Sequence, residues 1–135
     1  MNKLHVSAQM KIREGKIEGF KQQAAECIRQ TKEKDTGTLQ YDWFISSNRT
    51  ECEIREVYES SEALVEHKHN LRKALGRLFE EFAYDHTVVL YGDPSPQLLE
   101  GARIMMPDVE IKVYSFLQGL ELEREARRNL KGDLQ

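Results

Sequence analysis

Five side chains between Thr38 and Asn70 have types and spacings from which a reactive site can be built. His67 carries an imidazole whose ordinary pKa lies near neutrality, so it can take a proton from a hydroxyl and return it. Tyr41 and Trp43 are two residues apart, as are Glu56 and Tyr58. On strands, each pair shares a face. The aromatic rings can stack on a flat ligand and offer a polar handle each. Glu56 can orient the histidine, hold a ligand hydroxyl, or pair with an arginine such as Arg55 or Arg77. Plainer roles stay open beside these. His67 could be a helix histidine satisfied at the core edge or a contact to a ligand or second subunit, and the aromatics could be sheet core or dimer seam.

Other chemistries find less support. His69 is two residues from His67 and points roughly opposite on a regular helix, and nothing in the spacing brings His5 or His86 beside them, so no three-ligand metal set is expected. Cys27 falls on an apolar helical stripe and reads as core; Cys52 has no visible activating partner, and the two do not make a disulfide framework. Gly92-Asp93-Pro94 lacks the glycine spacing and lysine of a phosphate loop, and no nucleotide-binding fingerprint appears. No cofactor is expected, although a diffusible electron donor stays open. With 20 basic and 23 acidic residues and a net charge of −3, nothing electrostatic favours nucleic acid or an anionic membrane. The basic cluster Arg124, Arg127, Arg128 and Lys131 alternates with Glu121, Glu123 and Glu125, as on a solvated helix face. No apolar run approaches a membrane span and no export signal follows the N-terminus, so a cytoplasmic protein is expected.

A chain of 135 residues builds one hydrophobic core. Leu4–Met10 alternates as a strand, with Leu4, Val6 and Ala8 on one face. Gly15 punctuates, and Ile17, Phe20, Ala24, Cys27 and Ile28 then recur at helical steps. Leu39, Tyr41, Trp43 and Ile45 share one face of a second strand. Ser46–Thr50 is a hairpin turn, and Cys52, Ile54, Glu56 and Tyr58 share one face of the returning strand. Ser60 or Ser61 can cap a helix carrying Ala63, Leu64 and His67, and Asn70 can recap another carrying Leu71, Leu75, Leu78, Phe79 and Phe82. Ala83–Tyr91 is a strand. Two prolines make residues 92–96 irregular, and 98–106 is ambiguous; a fifth strand follows over residues 109–115 and a charged helix over 120–130.

The order β-α-β-β-α-β is the ferredoxin-like split βαβ of the α+β class, one antiparallel sheet with helices on a single face. Residues 1–92 form this domain, and residues 93–135 are an extension packing on the domain or on a partner subunit. Tyr41, Trp43, Phe44, Ile54, Tyr58, Val88 and Tyr91 supply more large apolar groups than one covered face needs. The expectation is a homodimer through the open sheet face, with residues 109–117 swapped or covering an edge.

The element order, the aromatic strand ending at Ile45, the Glu56-x-Tyr58 pair and the short helix leading to His67 resemble the antibiotic biosynthesis monooxygenase family. The resemblance covers roughly Leu4 to Tyr91 and implies a dimeric α/β barrel with a pocket between sheet and helices. It implies a small apolar aromatic substrate, a phenol or hydroquinone, oxidised with dioxygen without metal or flavin. His67 matches the family's histidine and would be the catalytic base, while Tyr41, Trp43, Glu56 and Tyr58 would bind substrate. The asparagine, tryptophan and histidine set of the haem-degrading members is not reproduced, since Asn2 precedes the first strand and Trp43 lies far upstream of His67. The alternatives are a non-enzymatic dimeric ligand-binding or stress-related module, and an isomerase or lyase on a polyketide or lactone.

Overall fold

The computed structural model describes residues 3–120. The charged helix expected over residues 120–130 therefore lies almost wholly outside the described residues. Strand β1 (Leu4–Ile12) leads through a turn at Gly15, whose φ is +75°, into helix α1 (Ile17–Lys34). Strands β2 (Thr38–Ile45) and β3 (Glu51–Tyr58) form the hairpin. Its turn is tied by the Ser46 hydroxyl and the Asn48 side chain to the Thr50 backbone N–H.

Helix α2 (Ser61–Asn70) starts where the Ser60 hydroxyl accepts from the Ala63 N–H. Helix α3 (Arg72–Arg77) follows after Leu71 and runs into a π-helical turn, Leu78–Phe82. Asn70 does not cap α3; its side chain reaches Asp35 instead. Strand β4 spans Ala83–Tyr91.

The five strands lie in the order β2-β3-β1-β4-β5, with β5 (Glu110–Tyr114) parallel to β4 and every other pair antiparallel. Over the first four strands this is the expected ferredoxin-like α+β sheet. The ambiguous segment is helix α4 (Pro96–Met105). Pro96 opens it because a proline in the first turn forfeits only an N–H that has no helical acceptor. Ser95 caps it, Leu98 joins the core beside Leu4 and Val6, and β5 covers the edge of β4 within the same chain.

The strand registers correct the expectation for the open face. Tyr41 lies opposite Glu56 and Trp43 opposite Ile54, while Val88 lies opposite Ala8. These residues and Tyr58 all belong to the helix-covered side, where they meet α1, α2 and α3. The helices present small residues there, Ala24, Cys27, Ala63 and Ala74, so large strand side chains must fill the layer. The open face is mixed. Phe44, Tyr91 and Tyr114 are exposed on it, around a polar centre where the Ser7 hydroxyl donates to Glu53. A register shift between Thr38 and Gln40 also turns Leu39 out of the core. Ile28 is likewise exposed rather than buried with the rest of its stripe.

Candidate active site

Helix α1 ends at a short loop, residues 35–37, that is stitched to α2. Both the backbone N–H and the hydroxyl of Thr36 donate to the Glu66 carboxylate, at 2.8 Å and 3.0 Å, and the Glu59 N–H donates to the Gly37 carbonyl at 2.9 Å. Gly37 is buried against Ala63, where a Cβ would lie only 2.6 Å from the alanine methyl. No other residue type fits so close to α2.

This seam places Asp35 under His67. The imidazole Nδ1 lies 2.6 Å from Asp35 Oδ2, and both side chains are almost wholly excluded from solvent. The Thr38 hydroxyl donates to the same oxygen at 2.7 Å and the Asn70 amide to the other at 2.9 Å. Three donors therefore converge on one carboxylate. An acceptor on Nδ1 fixes the tautomer with its proton there and leaves Nε2 as the free base atom.

The residues singled out in the sequence gather around this dyad. The Tyr41 ring centroid is 4.7 Å from that of His67, and the Tyr58 centroid is 5.3 Å away. Trp43 packs edge-on against Tyr41 at 5.8 Å and against Phe20 at 6.0 Å. The Tyr58 hydroxyl donates to buried Glu56. Glu56 thus makes no pair with Arg55 or Arg77; Arg55 is 3.9 Å from Glu53, and Arg77 bonds Glu81 at 2.7 Å. His69 is exposed, on the side of α2 away from His67. Among the described residues no set of three histidine, cysteine or acidic side chains gathers as metal ligands.

A cleft of about 320 Å³ lies between the end of α1 and the edge strand β2 and reaches Asp35 of the dyad. Tyr41, Asp35, Ile28, Lys32 and Leu39 are among the residues that line it. His67 packs against Tyr41 and has no exposure of its own. Sequence reasoning missed Asp35, Thr38 and Asn70. One signal was available: an acidic residue directly after a helix C-terminus opposes the helix dipole, so Asp35 needed a compensating partner.

Burial holds the His67 imidazole below its ordinary 6.5, outweighing the opposite pull of Glu56 and Asp35. Burial first, and Glu56 next, keep the Tyr41 and Tyr58 hydroxyls well above the ordinary 10, so both stay protonated. Cys27 and Cys52 are buried and pushed up to about 12, so neither is a thiolate nucleophile near neutrality. His86 stacks on Phe79 at 4.2 Å and is pushed down by burial to about 4.

The lowered histidines give stability a pH dependence of defined sign. Below 6.5 the unfolded chain takes up protons that His67 and His86 refuse in the folded chain. Their contribution is therefore complete above about 6.5 and is lost as pH falls below it. Melting between about pH 7 and about pH 5 should reveal a loss of about 1–2 kcal/mol from His86, with His67 adding to it in the same direction. The slope should be shallower in His86→Phe; an unchanged slope in that variant would show that His86 titrates freely in the folded chain.

A model of the family described as antibiotic biosynthesis monooxygenase matches residues 3–81, more than half of the chain. The chain belongs to the antibiotic biosynthesis monooxygenase family. Its matched span carries the Asp35–His67 dyad, the Glu56–Tyr58 pair, Tyr41 and Trp43. Among solved structures, MupZ of Pseudomonas fluorescens superposes with a TM-score of 0.69 at 19% identity, over 88% of this chain and 95% of that one. A protein of Mycobacterium tuberculosis gives 0.60 at 21% identity, over 70% and 97%. A protein of Shewanella oneidensis gives 0.60 at 19%, over 67% and 89%. At these identities the likeness establishes the fold. No curated protein matches the chain. No helix among the described residues is long and apolar enough to cross a membrane.

Proposed function

We propose that this member of the family is a cofactor-independent monooxygenase acting on a small, mostly apolar phenol or hydroquinone, with His67 as catalytic base. The observation that carries the reading is the buried His67 imidazole, anchored at Nδ1 by Asp35 and unpartnered at Nε2. Nε2 takes the proton of the substrate hydroxyl, and Asp35 stabilises the imidazolium. The electron-rich anion passes an electron to dioxygen, and the two radicals join in a new ring C–O bond. The O–O bond then breaks as the ring C–H proton leaves, giving a quinone, while the distal oxygen departs as water with both protons. Tyr41, Trp43, Glu56 and Tyr58 bind and orient the ring.

Oxygen uptake with a panel of hydroquinones tests the reading. His67→Ala is expected to lower the rate about 10²- to 10⁴-fold. Equal rates in the two proteins would remove the histidine from the mechanism.

One observation favours a second reading. The Tyr58–Glu56 pair is another buried proton-carrying unit packed beside His67, which suits an isomerase or lyase that moves a proton without consuming dioxygen. Turnover that persists under nitrogen separates the two. A non-enzymatic ligand-binding module would show binding with no turnover in either atmosphere. For assembly we propose a homodimer through the open sheet face, where Phe44 and Tyr114 are each 54% exposed. Sedimentation of the wild type and of Phe44→Glu reads that directly.

A further inference from the structure

Two buried side-chain nitrogens have no hydrogen-bond partner among the described residues, Trp43 Nε1 and His67 Nε2. Both belong to rings packed against Tyr41. The indole N–H can only donate, and Nε2, with the Nδ1 proton committed to Asp35, can only accept. Leaving such a group buried and unpaired is costly, and most buried polar groups are paired, so two of them beside one side chain call for a common cause. Tyr41 supplies it. Its ring packs against both nitrogens' rings and also lines the cleft between the end of α1 and β2, so it is the side chain that stands between the two nitrogens' rings and that opening.

We propose that the Tyr41 ring turns toward the cleft when a ligand enters, forming a two-point subsite in which Trp43 Nε1 donates to a carbonyl or ether oxygen and His67 Nε2 accepts from a hydroxyl of the same ligand. The inference rests on the cleft being the ligand's entrance, as in the function proposed above, and it narrows the ligand class. A molecule with a single polar group satisfies one nitrogen and leaves the other orphaned. The preferred ligand is a hydroxy-ketone, hydroxyquinone or hydroxy-ether on a compact apolar skeleton. Its two polar groups are kept off adjacent carbons, where they would bond each other rather than the protein.

Trp43 is the single tryptophan of the chain, so one indole N–H resonance reports on the subsite without assignment. The probes are a tetralone with a phenolic hydroxyl on the ring remote from the ketone, tetralone itself, and tetrahydronaphthol, all under nitrogen. The hydroxytetralone should move the indole resonance downfield and slow its exchange with water. By calorimetry, Trp43→Phe should bind the two ketones about tenfold more weakly and tetrahydronaphthol as before. The proposal is overturned by an indole resonance that stays in place at saturation, by equal ketone affinity in Trp43→Phe, or by no binding of any probe at millimolar concentration. The resonance is read in the unaltered protein, so the result does not depend on how the variant folds. Absence of oxygen uptake would count against the monooxygenase reading and leave an engaged indole standing; an unmoved indole would leave His67 standing as a base.

Discussion

Asp35→Asn is expected to lower turnover about 10²- to 10⁴-fold with little change in KM. The carboxylate accepts from three donors, His67 Nδ1, the Thr38 hydroxyl and the Asn70 amide. An amide has one oxygen and can satisfy them only in part. If its nitrogen faces His67, the imidazole must carry its proton on Nε2 and ceases to be a base toward the cleft. If its oxygen faces His67, the tautomer survives, but the negative charge that stabilises the imidazolium is gone. Either way, less of the transition-state stabilisation remains, and the acid limb of the pH–rate profile moves to lower pH. Wild-type turnover should rise as His67 loses its proton at a pKa below 6.5 and level off above it. Turnover of Asp35→Asn matching that of the wild type would show that His67 needs no anionic partner.

Gly37→Ala is expected to cost about 2–3 kcal/mol of stability and most of the activity. The new methyl would meet the Ala63 methyl at 2.6 Å, well inside contact distance, and neither side chain has a rotamer by which to escape. The loop and α2 must move apart as backbones. That movement pulls on the Gly37 carbonyl bond to Glu59, on the Thr36 bonds to Glu66 and on Asp35 beneath His67. Chemical denaturation and steady-state rates should therefore fall together. A Gly37→Ala protein with wild-type stability would mean that the seam yields without cost.

How much of this was legible in the sequence depended on the range of the interactions. Ala83–Tyr91 was readable to the residue from its run of Thr87, Val88, Val89 and Leu90, and the start of β1 from the alternation of Leu4, Val6 and Ala8, because both signals are local. The same alternation put Cys52, Ile54, Glu56 and Tyr58 on one face, and all four are buried. It does not say which face the helices cover. Of the apolar surplus, Tyr41, Trp43, Ile54, Tyr58 and Val88 fill the layer above small helix residues such as Ala24 and Ala74, while Phe44 and Tyr91 do lie on the open face. The π-helical turn and the displaced Leu39 were not readable, since each adjusts a local repeat to a tertiary constraint; the Phe82 ring, for instance, lies over Gly19 of α1. His67 stood out by type. Asp35, its partner, lies 32 residues away and belongs to the site only after α1 and α2 are laid side by side.

The position of β1 has a consequence for how the chain comes to be folded. It leaves the ribosome before the other four strands of this sheet and is the central one among them, with Leu4 opposite Tyr58 on one side and His5 opposite Tyr91 on the other. Both of its edges stay open until much later residues have been made. A nascent chain ending before Tyr91 offers an apolar, unpaired strand to any neighbour, so synthesis passes through an aggregation-prone window that closes only when β4 is complete. Loop closures of that length also place refolding toward the slow end for a small domain, because the entropy of bringing the ends together is lost before the pairing is gained.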